Sequence, residues 1–258
     1  MDQATGSPGD PPALEAPRPA WGFFETIGWG MISLIVWFVA QTIVVAGLIA
    51  WQEAVKPGSS DLRTMATDAT SLAAITIIAG PTWIGVTAIA ARWRRRRFAD
   101  YMALVLPRQR ELIFAIGCLI VILIVTDVGS YLLGRPVIPQ FMIDAYKSAQ
   151  SPVAVVLLFI AIVVFAPVCE EIAFRGFLFR GLSATRFGAP LAILLTSLVW
   201  ALMHVQYDWF VISQIFLLGI FFGWLRWATG STVLTIVLHF IANFAAFAET
   251  VIKVEWMG

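Results

Sequence analysis

Seven apolar stretches run through this 258-residue chain, at residues 27–51, 71–91, 112–133, 153–181, 191–205, 210–227 and 233–254. A helix that crosses the hydrocarbon core of a bilayer needs about 20 such residues. In lipid every backbone N–H and C=O must be satisfied within the segment, so stretches of this kind fold as helices. The expected fold class is all-α: a polytopic transmembrane helical bundle of about seven to eight spans. Composition agrees, with 60% hydrophobic and 13% charged residues, whereas a soluble domain is about a quarter charged. Pro81 falls inside the second stretch and is expected to kink it. Three parts follow. Residues 1–20, acidic and rich in Pro and Gly, read as a disordered tail. Residues 21–150 read as N-terminal transmembrane helices. Residues 151–258 form a transmembrane region that holds the chemistry.

Lys and Arg placement orients the spans. With the N-terminus in the cytoplasm, the inner connectors receive Arg92, Arg94, Arg95, Arg96, Arg97, Arg108, Arg110, Arg180, Arg186 and Arg226. The outer ones receive Lys56, Arg63, Arg135 and Lys147. The arginine run therefore reads as a topology signal. A net charge of +1 leaves no basic face for phosphates, which excludes nucleic acid as a partner. Cys118 and Cys169 form neither a disulfide framework nor a CxxC metal signature. Cys169 reads as a small apolar filler, and Gly219-xxx-Gly223 as a helix-packing face.

Ionisable groups at membrane depth are costly, about 2.5–3.5 kcal/mol on insertion scales, and mark functional sites. The two histidines of the chain, His204 and His239, both lie in apolar stretches, and a third stretch carries Glu170, Glu171 and Arg175. Counting about 1.5 Å per residue from the cytoplasmic ends puts Glu170, Glu171, His204, His239 and Asn243 in one slab, about 12–20 Å deep. Glu171 and Arg175 are four apart, acid first, the favourable order for a helical ion pair. That pairing leaves Glu170, about 100° around the helix, available as a base. His239 and Asn243 share a face. Trp200 and His204 stack likewise, so that the indole walls the site.

This set suffices for hydrolysis. Glu170 takes a proton from water that His204 also holds, and His239 and Asn243 donate to the oxyanion of a tetrahedral intermediate. The same atoms suit one divalent metal such as zinc, with Glu170, His204 and His239 as ligands and an open water position. The sequence leaves both forms of water activation open. HExxH and GxSG motifs and a pair of membrane aspartates are absent; Asp127 is the only Asp in an expected span.

The residues resemble a family. Glu170-Glu171-Ile172-Ala173-Phe174-Arg175 matches the EExxxR motif of the CAAX prenyl protease and bacteriocin-processing intramembrane peptidases. Trp200-Ala201-Leu202-Met203-His204 resembles its FxxxH motif, with Trp where Phe is usual. His239-Phe240-Ile241-Ala242-Asn243 matches its HxxxN motif, and Gly230-Ser231 is similar to its lead-in. The resemblance covers residues 153–243 and implies a membrane endopeptidase. Glu170 and His204 would position the attacking water, His239 and Asn243 would stabilise the oxyanion, and Arg175 and Trp200 would support them. Family members are commonly labelled metalloproteases, and a metal-free glutamate mechanism is also proposed for them. The implied partners are a peptide or lipidated protein substrate and the bilayer.

The expectation is thus a multi-pass protein of a bacterial plasma membrane, N-terminus cytoplasmic, that cleaves a peptide arriving from the cytoplasmic side. The rival is a non-enzymatic immunity or transport-type membrane protein whose polar cluster binds a ligand or relays protons.

Overall fold

A computed structural model describes residues 21–58 and 61–257, so the tail expected at residues 1–20 lies outside the described residues. The described residues are helical and contain no strand. In chain order they form α1 (Phe23–Val55), α2 (Leu62–Met65), α3 (Ala69–Ala79), α4 (Pro81–Trp93), α5 (Phe98–Tyr101), α6 (Gln109–Leu132) and α7 (Gln140–Ser148). One long rod follows, built of α8 (Pro152–Phe159), a π-helical turn π1 (Ile160–Phe165), α9 (Ala166–Glu171), a second π-helical turn π2 (Ile172–Leu178) and α10 (Phe179–Ser183). The chain ends with α11 (Gly188–Leu202), α12 (Trp209–Thr229) and α13 (Thr232–Trp256). Among the described residues six rods are long and apolar enough to cross a membrane, and α11 is a shorter apolar seventh. The chain is an all-α, multi-pass membrane protein.

Helix ends follow from local chemistry. Asp68, Ser151, Asp208 and Ser231 each cap a helix by accepting backbone N–H groups of its first turn. Gly230 takes a left-handed conformation (φ 71°) and closes α12, so that two residues suffice to turn the chain into α13. Pro81 separates α3 from α4, as expected. At that junction a Cβ on Gly80 would stand 3.2 Å from Cys169 Sγ, so the small residues let α3 and the long rod meet.

The two π turns have identifiable causes. Pro167 carries no N–H and cannot bond Val163 in a regular α-helix, and the preceding turn widens, with Ala166 N–H bonding Ala161 O five residues back. In π2 the Phe179 N–H bonds Phe174 O. The Arg175 carbonyl is taken by Arg226 Nε at 3.0 Å instead.

Contacts sort the helix ends into two rims. On the arginine rim, Arg94 pairs with Glu25 at the start of α1 (3.0 Å), and Arg180 donates to the Asp100 and Tyr101 carbonyls. Ser231 and Thr232, at the start of α13, donate to the Val105 and Met102 carbonyls. On the opposite rim, Arg135 pairs with Asp208 (3.0 Å) and Tyr146 donates to Glu255 (2.9 Å). There too Ser148 joins α7 to Thr67 and Ala69. The described chain thus starts on one rim and ends on the other. Helices α1 and α6 are peripheral. Large side chains such as Phe38, Ile43, Phe114 and Val125 are exposed there, as lipid-facing residues are.

One expectation needs correction. The fifth stretch, 191–205, is not helical to its end: α11 stops at Leu202, and residues 203–208 form a loop that starts α12 at the Asp208 cap. His204 is therefore on that loop, not on a helix.

Candidate active site

The paired acids sit between the two π turns, near the centre of the rod that runs from α8 to α10. Glu171 is wholly buried, and its Oε1 accepts from Arg175 Nη1 at 2.9 Å. The expected ion pair is present. The same oxygen also meets His239 Nδ1 at 3.0 Å, a contact the sequence did not suggest. Arg175, also wholly buried, donates from Nη2 to the Gly219 carbonyl at 3.2 Å and lies 4.5 Å from the Trp200 ring centre. That carbonyl is reachable because α12 lies close to α11: a Cβ on Gly219 would stand 2.9 Å from Ser197 Cβ, and Gly223 abuts Ile193. The expected packing face is present.

Glu170 points elsewhere. It lines a cavity of about 360 Å³, and its Oε2 accepts from Trp200 Nε1 at 2.6 Å. Trp200 is the hub of the site. Its ring meets His204 edge-on at 5.3 Å and His239 at 5.2 Å. The Trp200 carbonyl lies 2.8 Å from His204 Nδ1 and fixes that ring. Donation from Nδ1–H leaves His204 Nε2 as the free nitrogen. Asn243 donates from Nδ2 to the Ile162 carbonyl of π1 at 2.8 Å, which uses one of its two N–H groups.

Glu170, Trp200, His204, His239 and Asn243 therefore line one cavity, as the depth count implied. Glu171 does not line it. It is wholly buried behind His239, whose Nδ1 it meets at 3.0 Å. Among the described residues, no three His, Cys, Asp or Glu side chains come together as a metal site; Glu170, His204 and His239 share the wall without converging.

The sequence reading missed Gln206, Tyr207 and Gln214, which also line the cavity. Tyr207 stacks on His204 (6.3 Å, 14° between planes) and takes Phe141 of α7 edge-on. Burial pushes Tyr207 up to about 12, against a hydrogen bond with Gln206 that lowers it, so the phenol keeps its proton. Polar residues flanking an apolar stretch were the available signal.

The cavity has a direction. Its walls include Leu72 and Thr76 of α3, Ile122, Leu123 and Thr126 in the second half of α6, and Val211, Gln214, Ile215 and Leu218 in the first half of α12. Pro139, Phe141 and Met142 at the start of α7 also line it. All lie toward the opposite rim. The cavity thus extends from Glu170 and His239 away from the arginine rim.

The site and fold define a polytopic membrane protein with a shared acid–histidine cluster at membrane depth. A family model described as Rce1-like, type II CAAX prenyl endopeptidase, matches residues 152–245, which hold all three motifs, and bears out the resemblance read from them. No curated protein and no solved structure matches the chain.

Proposed function

We propose that this chain is an intramembrane endopeptidase that hydrolyses a peptide bond with water activated by Glu170 and His204. The observation that carries the proposal is the single cavity with Glu170, His204, His239 and Asn243 at its polar end, organised around Trp200. The match of residues 152–245 to an endopeptidase family supports it.

The chemistry follows from the donors and acceptors. In this reading the attacking water is held between the Glu170 carboxylate and His204 Nε2, which line the same cavity. As the water oxygen attacks the carbonyl carbon, its proton passes to Glu170. The carbonyl oxygen becomes an oxyanion. His239, held from behind by Glu171, meets it with a ring N–H, and the second Asn243 N–H adds a donor. The C–N bond then breaks, and the proton on Glu170 goes to the leaving amine. Arg175 holds Glu171 in place through its 2.9 Å contact.

The donors do not converge on one point, so each step is assigned to protein groups, and zinc or another divalent ion has no step here. The proposed setting is a bacterial plasma membrane with the arginine rim cytoplasmic, in keeping with the Lys and Arg bias. The substrate is a peptide or a lipidated, membrane-associated protein.

The test uses purified protein in liposomes with a quenched-fluorescence peptide library, comparing wild type with Glu170→Ala, His204→Ala and His239→Ala. Loss of cleavage in all three, with membrane insertion intact, is expected. Cleavage retained in all three would end the proposal. An inactive protein whose glutamate variants keep the cellular phenotype would favour an immunity or transport role.

A further inference from the structure

We infer that the cavity opens to the non-cytoplasmic face of the membrane, and that the peptide it takes is presented there with apolar residues beside the scissile bond. The inference rests on the endopeptidase reading for the word peptide; the direction of the opening rests on the fold together with the Lys and Arg bias.

The arginine side is closed by a built plug. Between the reacting groups and that rim lie the wholly buried Glu171–Arg175 pair and then Gly176 and Phe177 of π2. Against them lies the segment that follows the arginine run. Tyr101 stacks on Phe177 at 5.6 Å, and both Tyr101 and Met102 have no exposed surface. Met102 rests on Gly176, where a Cβ would stand only 3.2 Å from Met102 Cβ and Sδ. The plug is also tied by its backbone. Thr232 binds Met102 O at 2.6 Å and Ala103 O at 3.0 Å, Ser231 binds Val105 O, and Arg180 binds the Asp100 and Tyr101 carbonyls. A chain approaching from the arginine rim has to break this whole set before it reaches Glu170.

The other direction is open. From Glu170 and His239 the cavity runs to Gln206 on the 203–208 loop and to Pro139 and Phe141 at α7, all on the opposite rim. Gln206 is exposed. Its intermediate walls are apolar, with Leu72, Ile122, Leu123, Met142, Ile215 and Leu218. Such a lining favours apolar side chains on the peptide, since transfer from water is worth about 1.5–3 kcal/mol for a fully buried Val, Leu or Phe. The positive-inside rule assigns the arginine rim to the cytoplasm, so the mouth faces away from it. The substrate is then a segment that has already crossed the membrane or protrudes from its outer leaflet.

The experiment expresses the full chain in bacterial cells as Gln206→Cys and, separately, Arg108→Cys, and labels both with a membrane-impermeant maleimide. Wild type, with Cys118 part-buried and Cys169 buried, gives the background. The inference expects Gln206→Cys to be labelled in intact cells and Arg108→Cys only in inverted vesicles. Labelling of both cysteines from one side, labelling of Gln206→Cys only in inverted vesicles, or shielding of Gln206→Cys from both sides overturns it. A second arm adds apolar quenched peptides to sealed right-side-out and inverted vesicles. Cleavage only in right-side-out vesicles supports the inference, and cleavage only in inverted vesicles overturns it. If labelling is as expected and neither orientation cleaves, the opening stands and the endopeptidase reading falls.

Discussion

Glu171 Oε1 receives both His239 Nδ1, at 3.0 Å, and Arg175 Nη1, at 2.9 Å. One buried oxygen thus links a cation that never faces the cavity to the imidazole that does. Removing the cation leaves Glu171 as an uncompensated charge in a wholly buried place. Arg175→Ala is therefore expected to cost about 3–5 kcal/mol of stability, seen as a lower folded yield and a lower unfolding midpoint in detergent. Arg175→Ala with Glu171→Gln should regain part of that loss without regaining activity, because His239 then lacks its carboxylate. Wild-type yield in Arg175→Ala would contradict the pairing.

Trp200 Nε1 donates to Glu170 Oε2 at 2.6 Å. Trp200→Phe keeps an aromatic ring but removes this N–H. A hydrogen bond to a charged group contributes about 1.5–3 kcal/mol, and here it aims the base. The variant should fold and insert as wild type does and cleave about tenfold or more slowly, each 1.4 kcal/mol being tenfold in rate. An unchanged rate would remove the indole from the positioning of Glu170.

Gly219 offers a test of the helix contact that supports the site. A Cβ there would stand 2.9 Å from Ser197 Cβ and 3.1 Å from Trp200 Cε3. Gly219→Ala should cost about 1–3 kcal/mol through overpacking, and should lower cleavage because Trp200 must move. Gly117→Ala, with open space around its Cβ, serves as the control and should change neither unfolding midpoint nor rate.

Glu170, His204 and His239 share a wall without forming a metal-ligand cluster. Incubation with a zinc chelator, followed by removal of both chelator and metal, is expected to leave the cleavage rate unchanged. A loss restored by added zinc would show that the three side chains close around an ion, and would reassign the activation of water.

Much of this architecture is legible from residue types alone. Runs of about 20 apolar residues specify transmembrane rods almost without regard to context, and the seven stretches match the six long rods and the short α11. The i,i+4 spacing of Glu171 and Arg175 and the small faces of Gly219 and Gly223 are local, and both hold. Contacts between distant segments were not legible. The Glu171–His239 bond joins residues 68 positions apart, and the Trp200–Glu170 bond spans 30. Nothing in either segment alone fixes the rotation that brings them together. The π turns are an intermediate case. Pro167 sits just after the first of them, a local cause, whereas Asn243 and Arg226 arrive from other helices to take the Ile162 and Arg175 carbonyls. The packing at Tyr101 and Met102 was not legible either: charge bias orients the rods, whereas the contacts of Tyr101 with Phe177 and of Met102 with Gly176 are tertiary features.

The account depends most on Glu170 as the group that takes the proton from water. The direct measurement is the single-turnover cleavage rate of Glu170→Gln against wild type in liposomes, with unfolding midpoints recorded for both. Glutamine keeps the size of the side chain and an oxygen to accept from the Trp200 indole but cannot take the proton. The account expects a rate lower by about 10²–10⁴-fold at a wild-type midpoint. A Glu170→Gln variant that cleaves at the wild-type rate would contradict it.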